Sequence, residues 1–159
     1  MVERNTKRAV VLLAEDDPGD QELTRRALQE DVLRTTLYVV SDGEEAMDFL
    51  LRRGDYDNPA AAPRPDLLLL DLNMPKLDGR QVLQQIRRDE GLRRLPVVVL
   101  TTSKQEEDII RSYDLGCNSF ITKPVGIEAF MRTVRELGSY WFELVTLPTL
   151  RGVECALSR

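Results

Sequence analysis

Hydrophobic residues fall into five short runs along the chain, separated by stretches of helical period. The runs are AVVLLA at Ala9–Ala14, LYVV at 37–40, LLLL at Leu67–Leu70, VVVL at 97–100 and SFIT at Ser119–Thr122. The first, third and fourth are nearly continuous in Val, Leu and Ala, which is how parallel strands covered on both faces read. Between them lie helix signals. Asp17-Pro18 reads as an N-cap with proline at the first helical position, followed by a stripe of Leu23, Ala27, Leu28 and Val32. Ser41 with Glu44, and Ser103 with Glu106, have capping-box spacing. The first precedes Ala46, Met47, Phe49 and Leu50, the second Ile109, Ile110 and Tyr113. The stretch 79–89 carries Val82, Leu83 and Ile86. The last helix is the clearest, with Ile127, Phe130, Met131, Val134, Leu137, Trp141 and Leu144 on one stripe.

This alternation predicts an α/β fold of five βα units. Short connections of this kind force parallel strands with right-handed crossovers, and so helices on both faces of a doubly wound sheet. Two segments depart from a minimal five-unit domain. Residues 54–65 (GDYDNPAAAPRP) hold three prolines and no hydrophobic period, which predicts an exposed loop. Residues 138–159 extend past the fifth helix, and Pro148 should end any helical continuation. The organisation expected is therefore one domain over 1–137 and an extension over 138–159, with no repeat and no second domain.

Composition narrows the function classes. At 159 residues, 42% hydrophobic and 31% charged, the chain suits one globular domain. A net charge of −5 argues against binding nucleic acid through excess Lys and Arg. No run approaches the length of a membrane span, and the opening residues lack a signal-peptide core. A cytoplasmic protein is expected, with neither DNA nor membrane among its partners. Cys117 and Cys155 read as reduced packing residues. The chain has no histidine, which removes Ser-His-Asp and Cys-His catalysis. If phosphoryl chemistry passes through a histidine, that histidine belongs to another protein.

Four of the expected strands finish on a reactive polar residue: Glu15-Asp16, Asp71, Thr101 and Lys123. Open parallel sheets bind ligands beyond the carboxyl ends of their strands, at the switch in strand order. With the order 2-1-3-4-5, strands one and three are neighbours there, and these residues would meet in one pocket. Three carboxylates within ~5 Å repel by roughly 3 kcal/mol per pair at an effective dielectric of 20. Lys123 alone does not balance them; a hard divalent cation does, Mg²⁺ using one or two carboxylates with waters and phosphate. Asp71, in the middle, then becomes the carboxylate nucleophile that carries the phosphoryl group. A Lys ammonium and a Thr hydroxyl suit its oxygens. Drawing Thr101 inward would vacate space that Phe120 fills, turning a charge event into a packing change.

VLLAEDD, LLLLDLNMPKLDG, VVVLTTS and SFITKPV resemble, in order and separation, the four signature segments of response-regulator receiver domains. The resemblance covers about residues 8–137. It implies a flavodoxin-like fold with Asp71 as phosphoacceptor. Glu15, Asp16, Asp71 and the backbone carbonyl of Asn73 would hold Mg²⁺ or Mn²⁺. Thr101 and Phe120 would be the switch pair, and Lys123 the phosphate-binding lysine, joined to Pro124 by a cis bond. It also implies a sensor histidine kinase as partner and signalling without enzymatic turnover. Glu15 stands where Asp is more frequent, and Phe120 where Tyr is common. The loop at 54–65, NSFITKPV and the terminal SYWFELVTLP are similar to stand-alone regulators paired with phytochrome-type histidine kinases, and a homodimer or kinase-bound form is expected.

Plainer readings compete at several positions. Asp17 and Asp78 read as cap or turn residues rather than site acids. Tyr140, Trp141 and Phe142 read either as a continuation of the core stripe or as an interface cluster. An interaction module that has lost phosphorylation would lack part of the acid pair, acceptor or lysine, and none is missing. A phosphatase of the haloacid dehalogenase type needs a second Asp two positions after the nucleophile, where this chain has Asn73. A flavodoxin-like cofactor binder would need a phosphate-cradling loop in place of EDDPGD.

Overall fold

The computed structural model describes residues 8–29 and 34–148. Along the chain come β1 (Ala9–Ala14), α1 (Pro18–Leu28), β2 (Thr35–Val40), α2 (Gly43–Leu51), β3 (Leu67–Leu70), α3 (Gly79–Arg88), β4 (Val97–Thr101), α4 (Glu106–Asp114), β5 (Ser119–Thr122) and α5 (Ile127–Ser139). All strand pairs are parallel, in the order β2-β1-β3-β4-β5. The expected fold class and strand order both hold.

Strand alternation divides the buried residues into two cores. Leu12, Leu68, Leu70, Val97 and Val99 face one way, against Met47, Phe49 and Leu50 of α2 and Val82, Leu83 and Ile86 of α3. Val11, Leu13, Leu67, Leu69, Val98 and Leu100 face the other way, against Ala27 and Leu28 of α1 and Phe130, Val134 and Leu137 of α5. Each fully buried leucine is worth about 1.5–3 kcal/mol relative to exposure, so the LLLL run of β3 anchors both layers at once. Among the described residues, no helix is long and apolar enough to cross a membrane.

Several local expectations need correction. The cap of α2 is Asp42, whose carboxylate accepts from the Glu45 amide at 2.7 Å, while Glu45 accepts from the Ser41 amide at 3.0 Å. The cap is therefore shifted by one residue, the charged Asp42 serving in place of Ser41, and Glu45 reaches back to the residue before the cap rather than closing a box with it. Ser103 does not cap α4: its hydroxyl donates to the carboxylate of Asp108 at 2.6 Å. The stripe expected on α4 is not a core face. Only Ser112 is buried there, and Ile110 and Tyr113 are exposed, because α4 rests against the edge strand β5. In the last helix Phe130, Val134, Leu137 and Trp141 are buried, but Ile127 and Leu144 are exposed. Ile127 opens the helix, and Leu144 closes a wide π-helical turn, Tyr140–Leu144, that breaks the period before Pro148.

The segment 54–65 is not wholly exposed. It opens with a 3₁₀ turn, Gly54–Tyr56, and Ala62 is buried in the core. Tyr56 packs edge-on against Phe49 and donates its hydroxyl hydrogen to Glu45 at 2.6 Å. Arg52 donates to the carbonyl of Ala62 at 3.1 Å. The described residues hold no cis peptide bond, so the Lys123–Pro124 bond is trans. The trans preference of X–Pro bonds, about 0.5–1 kcal/mol, prevails there. Cys117 is free and buried, in keeping with a packing role; Val32 and Cys155 lie outside the described residues.

One glycine ties the fold to the end of β3. A Cβ on Gly79 would lie 2.2 Å from the carbonyl oxygen of Asp71 and 2.8 Å from the Cα of Leu72. The first turn of α3 thus packs directly on the backbone that carries Asp71. Gly79→Ala should destabilise the protein by about 3 kcal/mol, seen as a lower urea midpoint at unchanged slope.

Candidate functional site

The sheet ladder continues one residue past its strands and fixes the backbone of the polar residues found there. The amide of Glu15 donates to the carbonyl of Val40 at 3.0 Å, Asp71 to Ala14 at 3.0 Å and Lys123 to Thr101 at 2.7 Å. These bonds align the carboxyl ends of β1, β3 and β5 at one lip of the sheet. Asp17 then turns the chain into α1, its side chain accepting from Gly19 at 2.7 Å and Asp20 at 3.2 Å. Asp78 does the same for α3, completing a capping box with Gln81. Both residues are caps, as the plainer reading held.

At this lip the ammonium of Lys123 meets three carboxylates: Glu15 at 2.5 Å, Asp20 at 2.8 Å and Asp71 at 3.0 Å. The Lys123 side chain is 6% exposed, and those of Glu15 and Asp71 are 3% and 9% exposed. Burial would lower the pKa of Lys123, but hydrogen bonds to Asp20 and Glu15 and the charge of Asp71 outweigh it and hold the ammonium above its ordinary value. Burial pushes Glu15 up to about 8, against the pull of Lys123 and with Asp71 adding repulsion. The cluster carries more carboxylate than one ammonium offsets.

Glu15, Asp16 and Asp71 each offer an oxygen, all within 4.8 Å of one another. Asp16 is exposed, so water reaches the group from one side. An all-oxygen set with surplus negative charge and an open side fits a hard divalent cation. Asn73 lies just beyond β3, exposed, its amide donating to Asp71 Oδ1 at 3.2 Å.

The two remaining residues singled out in the sequence sit on β4 and β5. Thr101 is fully buried, and its hydroxyl oxygen accepts from the Ser103 amide at 3.4 Å. Phe120 is half-buried against the α2–α3 core, and its amide donates to the phenol oxygen of Tyr113 on α4 at 3.2 Å. Next to Thr101, Asp108 accepts from Ser103 and from Arg80 of α3, both at 2.6 Å. Those two bonds, Ser103 first, hold its carboxyl below the usual value.

Sequence reasoning missed two parts of this arrangement. One is Asp20, which reads as an ordinary acid in a helix's first turn. Its signal was positional: the N-cap at Asp17 follows the strand-one acids at once, so the turn holding Asp20 starts at the lip. The other is the Arg80–Asp108–Ser103 bridge, which spans 28 residues between Arg80 and Asp108 and had no local mark.

Residues 11–135 match the response regulator receiver domain family, and the chain belongs to it. It is 45% identical to the response regulator Rcp1 of Synechocystis sp. over 139 residues, covering 87% of this chain and 92% of Rcp1. Among solved structures it is similar to the phosphorylated cyanobacterial phytochrome response regulator RcpA, with a TM-score of 0.85 and 43% identity, covering 89% of this chain and 99% of that one. The Mn²⁺-bound form of Rcp1 gives a TM-score of 0.83 and 44% identity over the same shares.

The charge balance of the lip is directly measurable. Lys123→Met leaves two buried carboxylates without their ammonium and should cost about 3 kcal/mol in the presence of a chelator. Adding Mg²⁺ should recover part of that loss, seen as a larger Mg²⁺-induced rise in Tm than the wild type shows.

Proposed function

We propose that this chain is a single-domain response regulator that accepts a phosphoryl group from a sensor histidine kinase onto Asp71. In this reading residues 1–137 form the receiver and 138–159 an extension. The observation that carries it is the convergence of Glu15, Asp16 and Asp71 oxygens within 4.8 Å of one another, with the buried Lys123 bonded to Glu15 and Asp71. A carboxylate oxygen of Asp71 forms the new P–O bond as the P–N bond of the kinase's phosphohistidine breaks, and the imidazole leaves with its electron pair. Glu15, Asp16, Asp71 and the backbone carbonyl of Asn73 would hold Mg²⁺, with Mn²⁺ as an alternative. The cation, when bound, offsets charge on the transferring phosphoryl oxygens. Lys123 pairs with one oxygen of the product, and the Thr101 hydroxyl donates to another.

The product adds charge of about −1.5 to −2 and three acceptor oxygens. Thr101 is already paired with Thr122 of β5, so the movement required is mainly that of its hydroxyl and the loop after it. That loop carries Ser103, and with it the bridge to Asp108 and Arg80. Phe120 then fills the space beside β5, and the change reaches the surface of α4. The reading makes the chain a cytoplasmic signalling protein that acts through protein contacts, without DNA binding, as a homodimer or in a kinase complex. Likeness to RcpA, itself described as a phytochrome response regulator, favours a phytochrome-type kinase as donor.

Incubation with a labelled cognate kinase tests this reading. Wild-type protein should take up label only with Mg²⁺ or Mn²⁺, in a bond cleaved by hydroxylamine, and Asp71→Asn should take up none. Label reaching Asp71→Asn at the wild-type rate would move the acceptor elsewhere.

A further inference from the structure

We propose that Asp20 is a positioning residue: it holds Lys123 before phosphoryl transfer and competes for it with the phosphoryl oxygen that arrives on Asp71. The proposal rests on the reading of Asp71 as acceptor. It starts from a count of donors. An ammonium has three protons, and those of Lys123 meet carboxylates from three different elements: Glu15 after β1, Asp20 in α1 and Asp71 after β3. A new oxygen on Asp71 can pair with this lysine only after one of these partners lets go.

Exposure decides which partner that is. The Glu15 side chain is 3% exposed and would be left a buried polar group away from water, while Asp71 carries the new oxygen itself and stays beside the lysine. Asp20 is 26% exposed and is rehydrated when it releases the lysine. Its backbone is held independently of its side chain. The Asp20 amide donates to Asp17 at 3.2 Å, and its carbonyl accepts from Thr24 at 2.8 Å. Pro18 at the first helical position pre-sets the turn. The carboxylate can therefore leave Lys123 while α1 keeps its place.

Charge gives the proposal a sign that packing alone does not. Removing the Asp20 charge takes an anion away from the lip, which weakens the hold on a cation. The same removal frees a lysine proton and lessens repulsion toward an anion. Cation and phosphoryl mimic should thus respond in opposite directions. A purely structural residue would move both the same way, or neither.

The experiment is a pair of titrations on the full chain, Mg²⁺ by calorimetry and beryllofluoride at saturating Mg²⁺ by fluorine NMR. Asp20→Asn should bind Mg²⁺ about threefold more weakly and beryllofluoride about tenfold more tightly than wild type. Asp20→Glu, which keeps the charge, should stay within about twofold of wild type for both ligands. In a Lys123→Met background, Asp20→Asn should lose most of its effect on beryllofluoride and keep only the part that comes from lessened repulsion. Parallel weakening of both ligands, or no change in either, overturns the role of Asp20 while leaving Asp71 as acceptor. Wild-type protein that binds no beryllofluoride with Mg²⁺ overturns both readings together.

Discussion

Glu15 and Asp71 are carboxylates that the fold takes out of water and places against a single lysine nitrogen. Neither tolerates that position alone, because a buried charge without a partner costs several kcal/mol. The requirement reaches far into the structure. Lys123 and Glu15 stand 108 residues apart, and the parallel sheet, with the carboxyl ends of β1, β3 and β5 at one lip, brings them within one hydrogen bond. The ladder bonds that run past the strand ends, the two caps at Asp17 and Asp78, and the bare α-carbon of Gly79 all serve to hold backbone at that lip. The hydrophobic layers supply the free energy from which this strained assembly of charge is maintained.

How much of this was legible depended on the range of each interaction. β1 and β3 match their hydrophobic runs to the residue, because a strand buried on both faces can hold little but Val, Leu and Ala, and the half-buried edge strand β5 matches its run as well. The site residues at the strand ends followed from the strands themselves once the order was granted. What escaped was set by competition among near equals. Ser41 and Asp42 are both good caps, and the choice fell to the charged one. Asp20 and Asp108 are unremarkable acids until the elements opposite them are known. The face of α4 carries helical periodicity, yet periodicity does not tell how wide a sheet lies beneath a helix, and α4 sits at the edge of this one.

That edge position gives α4 a particular standing in the molecule. The helix buries only Ser112, and much of what ties it to its neighbours is polar: Ser103 and Arg80 at its Asp108 end, and the Tyr113 phenol on the β5 backbone. Polar ties of this kind are directional, and they break or remake with shifts of a fraction of an ångström. Thr101 is one hydrogen bond from Ser103. A helix joined to Thr101 through Ser103 is thus held with a single buried residue, so a rearrangement at Thr101 meets little packed core before it reaches the surface of α4.

The opposite end of the sheet is built on another principle. There Arg87 of α3 donates to the carbonyls of Arg93, Leu95 and Gly116 and to the side-chain oxygen of Asn118, which in turn accepts from the amide starting β4. All these acceptors are neutral. A clamp of one permanent cation and fixed dipoles does not titrate near neutrality. The floor of the molecule is therefore held without the carboxylates that crowd the rim, and its frame does not depend on their protonation.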